Sequence, residues 1–126
     1  MTLLRRADPW AWPLLLMGSI FFFSAQPDLD SGLGTIDLIG RKLIHFAEYA
    51  LLTFLWWRVL RVRMPTRTAA IAAFLIATAY AATDELHQSF VEGRNGSPVD
   101  WAIDTAGAAL AAARLARTRA PSEARR

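Results

Sequence analysis

The chain contains no cysteine among its 126 residues. That absence excludes disulfides, thiolate metal sites and a cysteine nucleophile. Histidine is almost as scarce, with only His45 and His87, and no recognised metal-ligand spacing is present. No internal repeat is visible either, and the usual alternating-access carriers are built from repeats. Polar residues are too few to coat a soluble domain: 54% of the chain is hydrophobic and 20% is charged. A core of this size cannot hide that much apolar surface, so the composition points to a membrane protein.

What is present is a series of four apolar runs. They are "WAWPLLLMGSIFFFSA" from Trp10, "LIHFAEYALLTFLWWRVL" from Leu43, "AAIAAFLIATAYAAT" from Ala69 and "VDWAIDTAGAALAAARLA" from Val99. Each falls short of the ~20 residues that cross a bilayer core, and flanking residues complete the length. The expected fold is all-α, a polytopic bundle of four short transmembrane helices at about 10–25, 43–60, 68–88 and 98–116. A basic tail follows at 117–126, and the whole chain, 1–126, forms one domain. The first run has a signal-peptide rival, with Arg5 and Arg6 ahead of Leu14 to Phe23. Cleavage after a small pair is disfavoured there because Phe22 and Phe23 occupy the upstream slot. Paired arginines before a span are also poor grounds for twin-arginine export.

Basic residues set the orientation. All except Arg41, Lys42 and Arg94 fall at one side of a four-helix topology. The positive-inside rule then makes both termini cytoplasmic and turns the segments at 26–42 and 84–98 outward. Acids take the opposite distribution, with only Asp8 and Glu123 on the inner side. At ~1.5 Å per residue, Glu48 lies about 10 Å along the second helix and Asp104 about 9 Å along the fourth, while Asp84 reaches the same layer from below, about 24 Å along the third. His45, His87 and Asp100 sit a turn nearer the outer surface than Glu48, Asp84 and Asp104 respectively. Ionisable groups at such depth face one another or a water-filled cleft. The expected site is an outward-facing cup of His45, Glu48, Tyr80, Asp84, Glu85, His87, Gln88, Arg94, Asp100 and Asp104.

Plainer readings stand beside this one. Asp100 follows Ser97 and Pro98 as a helix N-terminal acid would, so capping accounts for it as well. "GRNG" is a turn by composition. Arg41, Lys42, Trp56, Trp57 and Trp101 read as interfacial anchors, and Gly107, Ala108 and Ala111 as a small-residue face for close helix contact. For His45, Glu48, Asp84, His87 and Asp104 both a functional site and a buried structural network remain open.

"RKLIHFAEYALL" (41–52) and "TDELHQSFVEGRNGSPVDWAIDTAGAAL" (83–110) closely resemble the VanZ-like membrane proteins, a family named for a glycopeptide-resistance accessory protein. "FSAQP" (23–27) is similar to the segment that ends the family's first helix. The resemblance maps the family's polar set onto Lys42, His45, Glu48, Tyr49, Asp84, Glu85, His87, Gln88, Arg94, Asp100, Asp104 and Gly107. Glu92 and Ala111 depart from the family's usual proline and second glycine. The resemblance implies the bacterial cell envelope and a link to teicoplanin, and it supplies no reaction.

The functional expectation is a protein of the bacterial cytoplasmic (inner) membrane that binds or processes a lipid-linked or phosphate-bearing envelope substrate. His45, Glu48, Asp84, His87 and Asp104 are the candidate catalytic or proton-exchanging groups; Lys42, Glu85, Gln88, Arg94 and Asp100 are the candidate substrate contacts. The alternative is a proton or ion relay, or a non-enzymatic assembly protein whose polar cluster is structural. No cofactor is required; a divalent cation is chemically admissible among the acids. Expected partners are membrane lipids, a lipid-linked precursor, and a second copy or another membrane protein. The arginine-rich tail suits anionic headgroups rather than nucleic acid.

Overall fold

The computed structural model describes residues 2–24, 35–90 and 98–118. Among them are four helices and no strand: α1 (Thr2–Ser24), α2 (Thr35–Leu60), α3 (Thr66–Gln88) and α4 (Pro98–Ala116). The first two begin ahead of their apolar runs, at Thr2 rather than Trp10 and at Thr35 rather than Leu43. Hydrophobicity marks the part of a helix that meets lipid, whereas leucine, arginine, lysine and alanine sustain helix beyond it. The all-α expectation holds.

Length and composition among the described residues bear out two of the four expected spans. Two are long and apolar enough to cross a bilayer, Ile39–Leu60 and Thr66–His87, each of 22 residues with mean hydropathy 1.2 and 1.3. In α1 the apolar part is confined to Trp10–Phe22. α4 is only 19 residues long, and much of its apolar content is alanine, interrupted by Asp100, Asp104 and Arg114. Both therefore fall below the same test for physical reasons, one of length and one of polarity.

α2 and α3 form an antiparallel hairpin. Its turn is tight: Arg61 N–H donates to the Trp57 carbonyl at 2.9 Å, and Met64 N–H to that of Leu60 at 3.1 Å. Pro65 then precedes α3 with φ −56° and ψ 149°, an extended conformation that ends one helix and starts another. α4 packs chiefly on α2 and α3, whereas α1 lies against α2, touches α3 lightly and makes no contact with α4 among the described residues. Ala69, Ala73, Ala77 and Ala81, fully buried and four residues apart, give α3 a smooth stripe on which its neighbours approach closely. Tyr49, Leu52, Trp56 and Trp57 fill the remaining centre.

Trp56 and Trp57 are thus core residues and not interfacial anchors. Trp57 donates its indole N–H to the Thr66 carbonyl at 3.3 Å, and Trp56 meets Trp10 edge to face at 5.9 Å. Trp101 stays partly exposed.

Burial is inverted relative to a water-soluble protein. Leu14, Leu15, Phe22, Leu43, Ile44, Ile71 and Leu75 are each more than half exposed, while Asp104 is wholly buried and Asp84 nearly so. Apolar surface of this extent needs a cover, and the arrangement is consistent with a membrane protein.

Candidate functional site

Two helical stripes build the site. On α2, Lys42, His45 and Tyr49 follow at intervals of three and four residues and so share a face. On α4, Asp100, Asp104 and Gly107 do the same. The helices run parallel at this contact, because the partners advance together along both. Lys42 Nζ donates to Asp100 Oδ1 at 2.9 Å. One turn further, His45 Nδ1 stands 3.5 Å from Asp104 Oδ1, an electrostatic contact longer than a hydrogen bond. One turn beyond that, Gly107 lies directly against the Phe46 backbone. Only glycine permits this approach, since a Cβ there would sit on the Phe46 carbonyl oxygen and 3.0 Å from its carbon.

α3 arrives from the opposite direction and contributes Asp84, which is buried; Glu85 next to it is buried as well. Asp104, Glu48 and Asp84 all lie close enough to the His45 imidazole to act on it electrostatically. Asp84, Asp104, Tyr80 and Glu48 all act electrostatically on the Tyr49 phenol. Both carboxylate oxygens of Asp104, His45 Nδ1 and the Tyr49 hydroxyl are buried without a hydrogen-bond partner among the described residues. Buried polar atoms of that kind are uncommon and call for a reason.

Chemically, a carboxylate beside one imidazole nitrogen orients the ring for proton exchange at the other. The His45 side chain keeps 24% of its surface exposed while that of Asp104 keeps none. A ligand can therefore reach the imidazole but not the carboxylate behind it. The Lys42–Asp100 pair, about one-third exposed on each side, lies one turn earlier on both helices.

Other expected members are placed elsewhere. His87 does not meet His45; its ring stacks on Phe21 of α1 with centroids 4.4 Å apart and planes 18° apart. Tyr80 donates its hydroxyl to the Met17 carbonyl at 2.5 Å, so it ties α3 to α1. Lys42 is engaged by Asp100, which gives Asp100 a cross-helix partner beyond any capping role. Arg94 and the "GRNG" turn lie outside the described residues, as do the side chain of Gln88, the Ser97 cap and the tail arginines from Arg119 onward. Among the described residues no group of three His, Asp or Glu side chains is arranged to hold a metal ion. Charge-based reasoning passed over Tyr49, although its spacing of four from His45 places it on the same face.

A family model described as VanZ/LLP1 matches residues 10–117, a span that takes in the α2, α3 and α4 groups of the site. No curated protein and no solved structure matches the chain.

Proposed function

The chain belongs to the VanZ/LLP1 family, and we propose that it is a multi-pass protein of the bacterial cytoplasmic membrane that binds the phosphate-bearing head of a lipid-linked envelope precursor. The observation that carries the proposal is the His45–Asp104 contact, 3.5 Å long with a fully buried carboxylate, beneath a rim of Lys42 and Asp100. Four helices cross the bilayer in this reading, both termini lie in the cytoplasm, and the rim faces outward. The distribution of basic residues supports that orientation.

A phosphate reaching the rim competes with Asp100 for the Lys42 ammonium, since both side chains are accessible to it. Once Lys42 turns to the phosphate, His45 is one turn below. Its imidazole, held by Asp104, donates a proton to or accepts one from the bound head group. The placement of an envelope-directed ligand site on the outer side extends to glycopeptide resistance, because such drugs meet lipid-linked precursors there.

The test is native mass spectrometry of the protein in lipid nanodiscs with a polyprenyl phosphate and, separately, the uncharged polyprenol. Selective retention of the phosphate, lost in His45→Ala and Asp104→Asn, is the expected result. Equal retention of both molecules, or full retention in both variants, would overturn the proposal.

A second reading rests on a different observation: both polar pairs lie on the α2–α4 contact where Gly107 meets Phe46. They act there as a clamp fixing helix register. Under this reading the same variants melt earlier and no ligand is retained by the native protein.

A further inference from the structure

A groove between α3 and α4 lies at the end of the molecule remote from His45 and Asp104, and the site above does not use it. Ala70, Ile71 and Phe74 form one wall and Ala109, Ala113 and Ala116 the other, enclosing about 350 Å³. Both sets follow helical spacing, with intervals of one and three on α3 and of four and three on α4, so each is a continuous stripe on its helix. The alanines of α4 cause the gap, because their methyl groups are too short to meet Phe74 and Ile71 across it. The volume lies within the ~300–1,000 Å³ range of small-molecule sites.

One charged residue lines the groove, Arg67, at its end. Its side chain is exposed and makes no ion pair among the described residues. Arg63, Arg114 and Arg117 are exposed at the same end. The acids whose side chains are described, Glu48, Asp84, Glu85, Asp100 and Asp104, all belong to the opposite end.

We propose that this groove holds an acyl chain of an anionic phospholipid whose phosphate pairs with the Arg67 guanidinium. A guanidinium offers forked donors that match phosphate oxygens. Phe74 lies about 10 Å along α3 from Arg67, so the head group and the first part of the chain follow one line. A second copy of this chain fits less well. In a membrane it inserts in the same orientation, and its own Arg63, Arg67, Arg114 and Arg117 would face these with like charge. An anionic lipid neutralises them. The inference rests on the membrane reading above, but not on which side Arg67 faces, and it makes no use of the His45 site.

Purified full-length protein in detergent is titrated with phosphatidylglycerol and with phosphatidylcholine of identical chains, and bound lipid is counted by native mass spectrometry. Phosphatidylglycerol is expected to be preferred. Arg67→Gln should weaken it about tenfold, as loss of a charge-assisted pair implies. Ala113→Leu, which fills the groove from an exposed position, should weaken it similarly, and Arg63→Gln should leave it within about twofold, a change typical of diffuse surface charge. Thermal melts confirm that the variants fold; Ala109→Leu replaces Ala113→Leu if the latter melts early. The proposal is overturned by equal retention of the two lipids, by an Arg63→Gln effect as large as that of Arg67→Gln, or by binding of glycerol phosphate as tight as that of the whole lipid. It is also overturned if Ala113→Leu leaves lipid affinity intact and dissociates a dimer. A chain that stays monodisperse without detergent would instead refute the membrane reading itself.

Discussion

Replacing Gly107 with alanine places a methyl group onto the Phe46 carbonyl oxygen, 3.0 Å from the carbonyl carbon and 3.2 Å from the Cα. All three are backbone atoms of a helix, so no rotamer change relieves the overlap, and α4 must move off α2 by about 1 Å to restore ordinary contact. Overpacking of this type costs about 1–3 kcal/mol. Against it stands the better helix propensity of alanine, worth up to about 1 kcal/mol. Because the overlapped atoms are backbone, the cost falls in the upper part of that range, and Gly107→Ala should be net destabilising by about 1–2 kcal/mol. Gly40→Ala is the control, because a Cβ at Gly40 meets nothing within 4 Å and only the propensity gain remains. Thermal unfolding in one detergent compares the two, with about 4 °C expected per kcal/mol in a domain of this length. Gly107→Ala should melt several degrees below the native protein, and Gly40→Ala at or above it. Because His45 precedes Phe46 and Asp104 lies one turn before Gly107, the same shift lengthens the His45–Asp104 contact and weakens phosphate binding. A Gly107→Ala protein that melts with Gly40→Ala and binds normally would refute the close approach.

Asp104→Ala should destabilise the fold by about 1–3 kcal/mol, because the His45 imidazole loses the carboxylate beside it; Asp104→Asn, which keeps the shape, should cost less in the same thermal melt. His87→Phe should preserve stability and phosphate binding, since a phenyl ring retains the stacking on Phe21, whereas His45→Phe should abolish binding. Tyr80→Phe removes the hydrogen bond to the Met17 carbonyl and should cost about 1 kcal/mol, the usual net worth of such a bond, with no change in binding.

The helices were legible because the apolar runs and the break at Pro65 agree locally, whereas Pro13 falls in the middle of α1 and marks no helix start. Helix ends were less legible, since Thr35 to Lys42 continues a helix that hydrophobicity alone does not announce. At the site, the coincident depth of Glu48, Asp84 and Asp104 could be calculated from helical rise. The rotation of each helix could not. It sends His87 to Phe21 and Tyr80 to Met17, although both share a depth or a helix with the acids around His45. Likewise Lys42 and Asp100 are 58 residues apart, and nothing local to either announces their pairing. The approach of Gly107 to Phe46 sets the α2–α4 register, and that register decides which charges meet.

That register gives Lys42 two separable roles, and a charge exchange distinguishes them. In Lys42→Asp with Asp100→Lys, the rim pair is rebuilt with its ends reversed across the same parallel helices. Each side chain is about one-third exposed, so solvent screens the pair and its contribution to stability is at most about 1 kcal/mol. Each single substitution places two like charges where the 2.9 Å Lys42–Asp100 pair stands and should lower the melting temperature, while the double exchange should restore it. Phosphate binding should behave differently. The ammonium now rises from α4, away from the turn that carries His45, so a head group held by it no longer lies over the imidazole. Stability is expected to return without binding. Recovery of both would show that the rim only clamps the helices, and recovery of neither would show that Lys42 and Asp100 do not pair.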